Sequence, residues 1–106
     1  MNYAVVFAPE AEDQLAELYH YIAAHASSDT AARYTNAIVT YCEGMSTFPH
    51  RGTRRKDIRT GLRITNYKGS SVIAFDVDDD AMRVSILGIY YGGQEYKSTL
   101  GASPEN

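Results

Sequence analysis

With 106 residues the chain has room for one compact domain around one core, and its 44% hydrophobic content, with nine Tyr and three Phe, excludes a disordered segment. A single cysteine excludes an internal disulfide, and there is neither a leader-like N-terminus nor an apolar run near the roughly 18 residues of a membrane span, so a soluble cytoplasmic protein with no membrane partner is expected. The net charge of −3 conceals a basic block: residues 51–68 hold seven Lys and Arg against one acid, Asp57, between acidic flanks, and an anionic partner should meet that block.

Residues 2–7 read as a short strand. Pro9 then opens a helix to about Ala26, with Glu10, Glu12 and Asp13 complementing its dipole and Ala8 unable to cap it. Ala11, Leu15, Leu18, Ile22 and Ala26 form one apolar stripe. Ser27, Ser28 or Asp29 can cap a second helix running to about Thr47, whose stripe is Ala31, Tyr34, Ile38, Tyr41, Met45 and Phe48. Pro49 ends it. Cys42 falls in the helical pattern as a small buried hydrophobe. Two stripes joined by a short loop make an αα-hairpin, and neither helix is long enough to stand alone, so their shared face should cover a sheet.

Residues 50–60 lack periodicity and predict an irregular loop or an extended edge. Leu62 to Tyr67 is the next strand, Lys68-Gly69-Ser70 a turn, and Ser71 to Val77 an almost unbroken apolar strand, central and covered on both faces. Asp78 to Ala81 makes a polar turn before a last strand from Met82 to Tyr91, closing an antiparallel meander. Gly92-Gly93 reverses the chain, residues 94–100 allow one or two helical turns, and the tail should fray. The predicted fold class is therefore α+β in the order β-α-α-β-β-β, an N-terminal strand and αα-hairpin packed on a small antiparallel sheet. Residues 1–98 form a single domain and residues 99–106 a flexible tail.

The candidate contact residues are Arg54, Arg55, Lys56 and Arg59 in the basic loop, Arg63 on its strand, and Tyr91 and Tyr96. The loop bases either are simply solvated or grip an acidic or nucleic-acid partner. Arg63 either contacts a partner or forms a cross-strand ion pair with Asp76. Tyr90 and Tyr91 alternate faces, so one belongs to the core and the other is exposed. The Asp78–Asp80 run lacks the mid-loop glycine and distal glutamate of a calcium loop. His20 and His25, five apart on a helix, cannot share a metal face, and His50 has no ligand cluster in sequence. No metal and no cofactor are expected.

The order of elements, together with FAPEAEDQLAELYHYIA, FPHRG, GLR and VIAFDVDDDAMRVSILGIYYG, resembles the RelE/ParE family of type II toxin–antitoxin toxins over residues 2 to about 97. Pro9 and Ala11 match the family's start of helix one, and Tyr21-Ile22 its aromatic–aliphatic pair. Pro49 and Gly52 match the P-x-x-G after helix two, and Gly61-Leu62-Arg63 the G-x-R at the next strand. Ile73, Phe75 and Val77 match the central strand, and Ile86, Leu87, Ile89, Tyr91 and Gly92 the last one, where many members carry His in place of Tyr91.

The resemblance implies one of two activities. RelE-like members are ribosome-dependent mRNA endoribonucleases, for which Arg63 and Tyr91 would be the catalytic candidates here. ParE-like members poison DNA gyrase without catalysis of their own. The arginine that ribonuclease members carry on the central strand falls at Val72, and their later basic residue at Gly92 or Gly93. The ParE-like branch is therefore preferred, with no catalytic residue, the ribonuclease as the alternative and an inactive antitoxin-binding homologue as a third reading. The implied partners are a cognate antitoxin in a hetero-oligomer and DNA gyrase, or the ribosome and mRNA in the alternative. Operator DNA would be met only through the antitoxin.

Overall fold

A computed structural model describes residues 2–92 and Leu100. Its elements are β1 (Ala4–Phe7), α1 (Pro9–His25), α2 (Ser28–Glu43), a 3₁₀ turn (Gly44–Ser46), β2 (Thr53–Arg54), β3 (Leu62–Tyr67), β4 (Ser71–Asp78) and β5 (Arg83–Tyr91). Tyr96, Gly93, most of the helical turns expected at 94–100 and nearly all of the tail lie outside the described residues.

Both helices begin as their sequences dictate. Pro9 occupies the first turn of α1 behind Ala8, which makes no side-chain cap, whereas Ser27 caps α2 by accepting from the Thr30 backbone N–H at 3.1 Å. The α2 stripe holds as far as Met45 and then fails. Gly44 ends the α-helix and the chain tightens into the 3₁₀ turn, so the angular phase of the stripe is lost. Phe48, expected on the apolar face, is instead 66% exposed.

The strands form one five-stranded sheet in the order β1-β5-β4-β3-β2. β2 to β5 run antiparallel to their neighbours, as the meander requires, but β1 joins β5 in parallel, which makes the sheet mixed. β2 is the extended edge that residues 50–60 allowed. Leu87 has no partner on β4, because Ala74 pairs with Gly88 and Phe75 with Ile86; this bulge resets the alternation of β5. The expectation for β4 holds: it is the central strand, and Ile73, Ala74 and Phe75 are fully buried although they point to opposite faces.

One face carries the helical hairpin. Ala11 and Leu18 of α1, Ile38 and Cys42 of α2, and Met45 pack there on Ile73, Phe75, Val84, Ile86 and Ile89. On the other face Leu62, Ile64, Ala74 and Tyr90 pack with Leu100, flanked by Ile58, Val72 and Leu87. Tyr90 is the core member of the tyrosine pair, and its ring occupies the space a Cβ on Gly88 would need. Among the described residues no helix is long and apolar enough to cross a membrane.

Candidate functional site

The basic block is shaped by the β2–β3 ladder, in which Thr53 pairs with Ile64 and Arg54 with Arg63. Gly52 makes this possible. It sits at φ +77°, and a Cβ there would collide with the Ile64 carbonyl oxygen, so only glycine lets the chain enter β2 so close to β3. Arg63 is opposite Phe75, one residue out of register with Asp76, and the Arg63–Asp76 ion pair, one of the two readings open for Arg63, does not form. Its guanidinium instead donates to two backbone carbonyls of the preceding loop, Nε to Arg51 O at 3.1 Å and Nη2 to His50 O at 2.9 Å. Arg51 continues the tie, donating from Nε to Phe48 O at 3.3 Å with its guanidinium 4.8 Å from the Tyr41 ring centroid.

The remaining bases divide between neighbours and solvent. Arg55 faces Asp57 with two contacts, Nε to Oδ1 at 3.0 Å and Nη2 to Oδ2 at 2.9 Å, inside a turn where Ile58 N–H and Arg59 N–H both donate to Arg55 O. That turn sets Ile58 against the second apolar face. Arg59 lies near Asp76, whose carboxyl is pushed up by partial burial and pulled back by Arg59 and Arg83. Arg54 and Lys56 are exposed and, with His50, Arg63, Gly61 and Asp79, line a hollow of about 240 Å³.

Tyr91 belongs to a different region. Its half-buried ring lies 6.1 Å from that of Tyr21 and 5.9 Å from that of Tyr34, and the series continues from Tyr34 to Tyr67 and from Tyr67 to Tyr41 between hairpin and sheet. Tyr34 Oη and Ser71 Oγ are 2.8 Å apart, so the buried serine is satisfied. Beside this band, Gln14, Glu17, Leu18, Tyr21, Ile89 and Tyr91 line a groove of about 330 Å³, and Gln14 Oε1 accepts from the Ile89 N–H at 2.7 Å. Arg63 pairs with Phe75 and Tyr91 with Ser71. Their backbones are thus about 13 Å apart along β4 and about 10 Å apart across it. The fold does not bring the two ribonuclease candidates together.

A further cluster escaped the sequence. Tyr3 Oη donates to Asp79 Oδ1 at 2.7 Å, and His50 Nε2 lies 2.8 Å from the same oxygen. The Tyr3 hydrogen bond and His50 hold the Asp79 carboxyl below the usual carboxylate range, and the Tyr3 phenol is raised in return, first by its bond to Asp79. Asp79 and Tyr3 are 76 residues apart, so no local pattern in the sequence pointed to it. Cys42 is a buried thiol pushed up to about 12, chiefly by burial, and is no nucleophile. Among the described residues no group of His, Cys, Asp and Glu could hold a metal ion.

Residues 5–96 match the family described as ParE toxin of type II toxin–antitoxin system, parDE. No curated protein sequence matches the chain. Among solved structures the fold is similar to a chain of the chromosomal ParDE toxin–antitoxin system of P. aeruginosa, with TM-score 0.72 and 17% identity, over 84% of this chain and 95% of that one. It is also similar to a chain of the RelBE2 toxin–antitoxin complex of Mycobacterium tuberculosis, with TM-score 0.65 and 22% identity, over 89% of this chain and 95% of that one. With the strand, helical hairpin and central-strand order in place, and the family match spanning nearly the whole chain, the protein belongs to the ParE toxin family of type II toxin–antitoxin systems.

Proposed function

We propose that this toxin inhibits DNA gyrase through protein–protein contact, without a catalytic residue of its own, and that a cognate antitoxin neutralises it. The observation that carries the reading is the dispersal of the groups a ribonuclease would need. Arg63 is engaged by two loop carbonyls, Tyr91 lies in the aromatic band near the far end of β4, and Val72 packs beside the second apolar face. A phosphate transition state needs positioned cations and a general base within hydrogen-bond reach of the nucleophile.

An acidic, initially disordered antitoxin segment is the partner whose charge complements the hollow bounded by Arg54, Lys56 and Arg63. Arg55, Arg59, Tyr91 and Tyr96 are further proposed contact residues. The toxin and antitoxin form a hetero-oligomer that meets operator DNA through the antitoxin, in the cytoplasm. The ribonuclease reading is favoured by one feature, the His50 imidazole beside Arg54, Lys56 and Arg63.

Purified toxin added to gyrase is expected to block supercoiling and accumulate cleaved DNA. Unimpaired supercoiling together with ribosome-dependent mRNA cleavage would establish the ribonuclease instead. The absence of both activities and of growth arrest would leave an antitoxin-binding homologue.

A further inference from the structure

Three segments that no strand pairing ties at this point meet at one carboxylate. Tyr3 precedes β1, His50 follows Pro49 in the loop after the 3₁₀ turn, and Asp79 lies in the β4–β5 turn. The same Asp79 oxygen receives the Tyr3 hydroxyl and faces His50 Nε2, and the imidazole stands edge-on to the Tyr3 ring, with centroids 6.1 Å apart and an interplanar angle of 82°. The backbone of the same loop is held separately, by the Arg63 guanidinium at His50 O and Arg51 O. His50 is therefore placed from both ends, ring and carbonyl, while it remains open enough to exchange a proton, with its side chain half exposed.

We propose that Tyr3, Asp79 and His50 form a proton-operated clasp, in which protonation of His50 draws the loop of residues 48–52 more firmly onto the β4–β5 turn and stiffens the wall of the basic hollow. With a neutral imidazole, Nε2–H makes an ordinary hydrogen bond to the carboxylate. With a second proton on the ring the bond becomes charge-assisted, shorter and stronger. The charged and titratable groups facing the pair come from every neighbouring element: Tyr3 ahead of β1, Arg54 of β2, Lys56 after it, Arg63 of β3, and Asp78, Asp80 and Arg83 around the turn. Asp78 is partnered by Arg83 at 3.6 Å, which leaves Asp79 as the carboxylate His50 contacts. The Asp79 carboxyl is held below the usual carboxylate range, first by the Tyr3 hydrogen bond, so the charged acceptor is in place whichever form the ring takes.

The clasp is tested by backbone amide hydrogen exchange on the full chain at pH 5.5 and pH 7.5, corrected for intrinsic exchange. Protection over residues 48–54 is expected to rise roughly two- to fivefold on acidification, the range of a partly exposed ion pair. Both His50→Gln, which keeps a neutral donor, and Asp79→Asn, which keeps an acceptor for Tyr3, should abolish the rise while leaving the central amides of β4 and β5 unchanged. The proposal fails if either variant retains the wild-type response, or if the wild type shows none.

Discussion

Arg54 and Arg63 stand directly opposite each other across the β2–β3 ladder, so two guanidinium groups leave the same face of the sheet at its edge. Like charges so placed are unfavourable by up to roughly 1 kcal/mol. The structure relieves this by turning Arg63 into the protein, onto the His50 and Arg51 carbonyls, and leaving Arg54 to solvent. One arginine serves the scaffold and the other is available to a partner.

Arg63→Ala should therefore reduce stability by about 1 kcal/mol, the loss of charged hydrogen bonds discounted for partial exposure, whereas Arg54→Ala should change it by less than about 0.5 kcal/mol. Urea denaturation of the two variants separates them. Equal effects would mean that the loop does not depend on Arg63.

Replacing both exposed cations, as Arg54→Glu with Lys56→Glu, should leave the fold intact and weaken antitoxin binding by roughly tenfold at low salt, with most of the difference lost at high salt. Calorimetric titration at two ionic strengths reads both effects. Unchanged affinity would exclude the hollow from that interface.

Gly52→Ala is expected to cost about 1–3 kcal/mol, because the residue must adopt a left-handed backbone conformation and its new methyl meets the Ile64 carbonyl. A thermal melt measures it. A neutral result would mean that β2 can detach from β3 without consequence.

Cys42 offers a pH test of the core. Its thiol stays neutral in the fold up to about 12, whereas in the unfolded chain it ionises near its ordinary value of 9.0. The sign follows from the raised native value: the contribution is fully present below pH 9 and is lost as pH rises from there toward 12. Cys42→Ala should flatten that alkaline decline, and the wild-type thiol should resist alkylation at pH 8 until urea unfolds the chain. Rapid labelling of native protein would contradict its burial.

Much of the architecture was legible locally. Pro9 and Ser27 punctuate the helix starts in the sequence itself, and the apolar stripes through Leu18 and Ile38 select the buried faces, because 3.6-residue periodicity needs no knowledge of the rest of the chain; the end of the second helix, read at about Thr47, falls instead at Glu43. The central place of β4 was equally readable from its unbroken apolar run. The site was less legible. Arg63 was recognisable as a strand residue beside packed neighbours, but its partner depends on register, and a shift of one residue puts Phe75 rather than Asp76 opposite it.

What the sequence by itself determined is the order and kind of the elements, and a basic block whose charge is independent of folding. The tertiary structure decided the parallel docking of β1 on β5, the Leu87 bulge that sets which of Tyr90 and Tyr91 meets which face, the exposure of Phe48, and the meeting of Tyr3, His50 and Asp79. These are relations between segments from 29 residues apart (His50 and Asp79) to 79 residues apart (Ala4 and Arg83), or phase shifts introduced by single backbone irregularities. Neither leaves a periodic trace, because both arise only when the sheet closes and two distant surfaces must share the same space.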